Sequence, residues 1–210
     1  MKLKKLYLIC LVFCSAFVFN ACSKNSDAEH NVEIPDTQAN MDTEAQKVEL
    51  KEGDQLKEIL KSIELKNTFG FKQNLAKVMG KEKTLIAVVK TGCVFCESML
   101  AVKSSTKTNT KAKFIVVVSS FHSEFADFQD KHNQYRSAGG EWYYDFNNDF
   151  ATKLGIEGFP RFFLINKKGE LEKDQSGLIT PEDESVLEGK EFAEVLQKLA
   201  EETVKWFTTI

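Results

Sequence analysis

The chain has 210 residues, 42% hydrophobic and 28% charged, which suits one globular domain with short appendages. A formal net charge of -3, with no long block of one sign, offers no concentrated basic face, so nucleic-acid binding is not expected.

Lys2, Lys4 and Lys5 precede an apolar run from Leu6 to Phe19 that only Ser15 interrupts. The run is too short for a comfortable membrane span and has the layout of a secretory signal peptide. It ends in Phe19-Asn20-Ala21-Cys22. A small residue before a cysteine at this place resembles the lipobox of bacterial lipoproteins, although Phe19 and Asn20 replace its usual Leu and small residue. The resemblance implies cleavage after residue 21 and lipidation of Cys22, with plain secretion or an uncleaved anchor as alternatives. A lipid there would supply membrane affinity without a spanning helix. Cleavage removes three of the 28 basic residues and none of the 31 acidic ones, so the mature net charge becomes -6. Cys10 and Cys14 leave with the signal, and Cys93 and Cys96 remain as thiols.

Residues 22–46 are polar, contain Pro35 and show no periodicity, as expected of a flexible tether. Leu56, Ile59, Leu60, Ile63 and Leu65 lie at near-helical spacing, so 54–65 is expected to be an amphipathic helix within an extension over 47–65. The domain proper is expected over 66–210. There Phe71 to Val78 reads as helix, and the β-branched run Thr84 to Val89 as a buried strand. Cys93 to Val102 reads as helix, Phe114 to Ser119 as a second buried strand and Ser123 to Ser137 as a polar helix. Glu141 to Asp145 suits a short strand and Asn147 to Leu154 a short helix. Arg161–Asn166 and Glu170–Gln175, divided by Lys167-Lys168-Gly169, read as a hairpin, and Gly189 to Thr203 as a closing helix. We summarise residues 71–207 as βαβαββα, an α/β domain around a mixed sheet. Trp142, Tyr143, Tyr144, Phe146, Phe162 and Phe163 are assigned to its core, and Lys103, Lys107, Lys111 and Lys113 to solvent.

The chemistry centres on Thr91-Gly92-Cys93-Val94-Phe95-Cys96. A helix that starts at the first cysteine points unpaired N–H groups and a partial positive charge at its sulfur, which favours the thiolate. Two intervening residues let Cys96 reach Cys93 within one turn. From spacing alone the pair is a small structural bridge, part of a metal site or a working redox centre. Zinc would want four ligands, and His122 and His132 are poorly spaced to complete a set.

Together with Gly155-Ile156-Glu157-Gly158-Phe159-Pro160, which opens an apolar strand 67 residues after Cys93, this motif resembles the thioredoxin superfamily over most of 66–207. The resemblance implies a thioredoxin-like fold in which Cys93 is the nucleophile and Cys96 the resolving cysteine. It makes Pro160 a cis-proline facing them, and Phe159 the residue whose backbone pairs with an extended substrate. Phe95 and Phe159 would form an apolar platform for that substrate, against the plainer reading of core packing. No dissolved cofactor and no metal are implied. Partners would be protein disulfides, including those of c-type cytochromes, and a membrane electron donor of the DsbD kind, in the bacterial periplasm. The chain departs from thioredoxin itself. Gly92 replaces Trp, Val94-Phe95 replaces Gly-Pro, and Ala87 and Met99 stand where relatives carry a proton-transferring acid. The motif is closer to SoxW-, TlpA- or DsbC-like exported domains. Without the His that strong Dsb-type oxidases place between their cysteines, a reductase or isomerase is expected. Copper delivery and a non-catalytic binding module are the alternatives.

Overall fold

In a computed structural model the chain clusters into two units, Met1–Asp42 and Thr43–Ile210. The residues described are 50–79, 82–106, 110–119 and 125–210, so the signal, Cys22, the tether, Lys107 and His122 lie outside them.

The elements run α1 (Leu56–Leu60), β1 (Glu64–Asn67), β2 (Lys72–Asn74), α2 (Leu75–Val78), β3 (Thr84–Val89), α3 (Val94–Thr106) and β4 (Lys113–Ser119). They continue α4 (Phe125–Gln134), β5 (Glu141–Asp145), α5 (Asp149–Lys153), β6 (Arg161–Ile165), β7 (Leu171–Ser176) and α6 (Phe192–Thr209). The strands form one sheet in the order β2-β1-β5-β4-β3-β6-β7. β3, β4 and β5 are mutually parallel, and the outer strands are antiparallel to their neighbours.

The continuous apolar runs of β3 and β4 follow from their place inside the sheet, where both faces are covered. Alternate side chains feed two cores. Ala87, Val116, Tyr144 and Phe162 join Cys96, Met99, Phe128 and Phe207 beneath α3, α4 and α6. Ile86, Val117, Tyr143 and Phe163 join Leu56, Leu75 and Phe150 beneath α1, α2 and α5. The long α6 turns Leu196, Ala200, Val204 and Phe207 inward at helical spacing. Buried Thr203 accepts the Ile179 N–H and donates to the Leu199 carbonyl, each at 2.8 Å, tying the preceding loop to the helix.

Several sequence expectations need correction. The helix over 54–65 stops at Leu60, and Ile63 and Leu65, two apart, serve the next strand as well as they would a helix. β1 crosses the expected boundary between residues 65 and 66, and Leu56, Leu60, Ile63 and Leu65 belong to the domain's own core. The helix expected over 71–78 is a strand followed by one helical turn. A side-chain turn starts that change: the Asn67 side-chain Oδ1 accepts the N–H groups of Phe69 and Phe71, both at 3.0 Å, and folds β2 back on β1. From residue 84 the order is βαβαβαββα, because α5 separates β5 from β6. Lys103 is buried rather than solvated, its Nζ 5.5 Å from the Phe114 ring centre, and burial lowers its pKa. Lys113 is half-buried and donates to the Val78 carbonyl at 2.8 Å. Of the six aromatics assigned to the core, all but half-buried Phe146 are buried.

The carboxylate of Asp145 is wholly buried at the end of β5. It accepts the Ser119 hydroxyl at 2.9 Å and the N–H groups of Phe150 and Ala151 at 3.2 and 3.1 Å, and so starts α5. Burial pushes its pKa above 3.8, the three hydrogen bonds pull it back, and Asp149 pushes it up again. A carboxyl group displaced upward in the folded state adds stability below its unfolded pKa and loses it as pH rises through the folded value. Urea unfolding should therefore show a decline as pH climbs from 3.8 through that raised value, and Asp145→Asn should remove this component. Parallel curves for the two proteins would show that Asp145 does not titrate there.

Candidate redox site

Gly92 adopts φ +72°, and an added Cβ would meet nothing within 4 Å. The constraint is backbone conformation rather than space, which accounts for glycine where thioredoxin has Trp. The chain then enters α3. The Cys93 carbonyl accepts the first intrahelical bond, from the Glu97 N–H at 3.0 Å, so Cys93 holds the cap position.

Cys93 and Cys96 form a disulfide with Cα atoms 5.3 Å apart. Their environments differ. Cys93 is half-buried, whereas Cys96 is fully buried in the core beneath α3. The Cys96 N–H donates to Cys93 Sγ at 3.2 Å. On reduction that donor and the helix N-terminus would stabilise negative charge on the accessible sulfur.

The Phe159–Pro160 bond is cis, and Pro160 is buried at the head of β6. The Phe159 carbonyl oxygen lies 3.7 Å from Cys93 Sγ, so the proline-bearing strand faces the cysteines. β6 is held there by pairing with β3, from Thr84↔Ile165 to Val88↔Arg161. Phe159 is half-buried and packs against both cores. Phe95 is 39% exposed.

The polar neighbours are engaged elsewhere. Glu97 accepts from Lys131 of α4 at 2.6 Å. Arg161 donates to both Asp174 oxygens at 2.6 Å each, across β6 and β7, and this hydrogen bonding raises its pKa. Arg161 is thus a clamp on the hairpin. Ala87 and Met99, in the Cys96 core, carry no titratable proton. Among the described residues no three His, Cys, Asp or Glu side chains gather as a metal site. His132 packs against Phe128 and Trp142, with burial, and then Arg136, lowering its pKa. No helix of the described residues is long and apolar enough to cross a membrane.

The model of the thioredoxin-like domain matches residues 71–188, more than half of the chain and both halves of this site. The chain belongs to the thioredoxin-like domain family. This thioredoxin-like protein resembles a putative thiol:disulfide interchange protein DsbE from Chlorobium tepidum, 20% identical, TM-score 0.50, with 72% of this chain and 99% of that one covered. It is also similar to a secreted Mycobacterium tuberculosis disulfide oxidoreductase, at 13% identity and TM-score 0.45, covering 63% of this chain and 95% of that one. An exposed lipoprotein thioredoxin of Streptococcus pneumoniae matches at 18% identity and TM-score 0.46, covering 65% and 98%. At such identities the Chlorobium structure shows a shared fold and nothing finer. Among curated protein sequences none matches the chain.

The sequence named the two cysteines, Pro160, Phe95 and Phe159; the structure places Phe159 and Pro160 against the Cys93–Cys96 pair, while Phe95, between the cysteines in the chain, turns its ring toward α6. The sequence missed Phe192, whose ring stands 6.4 Å from that of Phe95. No local signal marks a residue 97 positions away as a neighbour.

Proposed function

We propose that this protein is an exported, lipid-anchored thiol–disulfide oxidoreductase that reduces or isomerises disulfides of extended polypeptides. The reading rests chiefly on one observation: the accessible sulfur, Cys93, receives an N–H bond at the start of a helix, while its partner Cys96 is buried behind it. Reduced Cys93 attacks a substrate disulfide as thiolate, forming a Cys93–substrate bond and releasing one substrate thiolate. Cys96 then loses its proton and attacks Cys93 Sγ. The Cys93–Cys96 disulfide forms and the second substrate thiolate leaves, so the substrate gains two electrons. A dithiol donor restores the pair. A membrane protein of the DsbD kind fits that role, with Cys22 holding the domain at the bilayer. Phe159 offers its backbone to the substrate chain and Pro160 keeps that segment turned toward the sulfurs.

The side chains between the cysteines set the expected direction. Neither Val94 nor Phe95 can hydrogen-bond or charge-pair with a thiolate, so the reduced form lacks the support that strong oxidases give it. The potential of the pair, measured against glutathione, should lie well below about -120 mV, in the range of reductases and isomerases. A value at about -120 mV would reject this direction.

A further inference from the structure

The redox site has an apolar shoulder that sulfur exchange does not itself need. Among the described residues five large hydrophobic side chains are left exposed, and three of them lie here: Val94 at 47%, Phe95 at 39% and Phe192 at 63%. Phe95 and Phe192 meet edge to face, with an interplanar angle of 83°. They lie 97 positions apart in the chain, and α3 and α6 pack along each other to bring them together. Leu196 and Ala200, one and two turns further on, anchor the start of α6 in the core. The aromatic pair is therefore positioned by rigid elements, and each ring keeps area open to water. A contiguous apolar patch beside a reactive group is unfavourable in water and suits a docking substrate, unlike a single exposed side chain.

The occupant follows from the chemistry beside it. A substrate joined to Cys93 through sulfur has its own chain fixed at that point, and an extended chain advances about 3.3 Å per residue. Phe95 lies two residues after Cys93 on the first turn of α3, and Phe192 of α6 adjoins it, so both are within the reach of side chains next to the substrate cysteine. We infer that Phe192, with Phe95, forms a specificity subsite for disulfides whose cysteine is flanked by an aromatic or large aliphatic side chain. This deepens the exchange reaction proposed above and rests on it.

The test compares two disulfide-linked peptides differing only in Phe or Ser beside the cysteine, with hydroxyethyl disulfide as a substrate that has no side chains. Dithiothreitol is the reductant in each case, and the mature full chain is the enzyme. Wild type should favour the Phe peptide by about tenfold in kcat/KM, mostly through KM. Phe192→Ser should bring that ratio to within about twofold, Phe192→Leu should keep most of it, and Phe69→Ser, at another exposed phenylalanine, should leave it in place. Turnover of hydroxyethyl disulfide with no peptide preference in wild type, or with the preference intact in Phe192→Ser, overturns the subsite. No turnover of any of the three substrates overturns the exchange reaction and the subsite with it.

Discussion

Replacing Cys96 with Ser should leave substrate proteins covalently attached to Cys93, whereas Cys93→Ser should attach none. The expectation follows from the unequal placement of the sulfurs. Cys93 is half-buried and reachable by an incoming disulfide, while Cys96 has no exposed surface. An attack through Cys93 creates a mixed disulfide that only the Cys96 thiolate is placed to resolve, from one helical turn away. With serine there, the intermediate persists until an external thiol removes it. Turnover should fall by on the order of 10²-fold or more in either single variant, but the two losses differ in kind. Non-reducing gels should show high-mass adducts for Cys96→Ser that collapse with dithiothreitol, and none for Cys93→Ser. In the reduced protein, iodoacetamide at neutral pH should modify Cys93 well before Cys96, since thiolate character and access both favour it. Equal trapping by both variants, or preferential alkylation of Cys96, would overturn the assigned order of attack.

The parts of this site legible in the sequence are those fixed by local chemistry. Thr84–Val89 and Lys113–Ser119 announce themselves because a strand covered on both faces must be apolar throughout. The cysteines directly follow the first of these, and Pro160 directly precedes a third apolar strand, so their pairing across the sheet needed only the correct topology. What stayed hidden depends on contacts distant in the chain. Lys103 reads as a helix-end cation, yet burial against Phe114 removes it from water. Arg161 reads only as the first residue of the expected hairpin until Asp174 appears across it to bind the guanidinium. Phe192 reads as an ordinary helix position, and only the packing of α6 on α3 turns it into a neighbour of the redox motif. The β1–β2 hairpin hid for another reason: its turn is built by one asparagine side chain, and β2 is just three residues long.

Phe162→Ala should be the most damaging single change in the core, costing about 3–5 kcal/mol of stability. Phe162 has no exposed surface and sits on β6 two residues after Pro160. Its ring meets Trp206 and Phe207 of α6 at 6.1 and 5.4 Å, both near edge to face, so its loss opens a void between the sheet and the final helix. Ala87, paired with Phe162 on the neighbouring strand and in the same core, has only a methyl side chain and cannot fill that space. For a domain of this size the melting temperature should drop by on the order of 10 °C. Phe162→Leu keeps much of the volume and should cost less than half as much. The same void lies under the helix that carries Phe192 and beside the strand that carries Pro160, so the damage should reach the redox site. Exchange by Phe162→Ala, assayed well below its melting temperature, should weaken most for the peptide with Phe beside its cysteine. A variant that melts within about 2 °C of wild type would show that α6 is held by its other contacts and that this aromatic junction is dispensable.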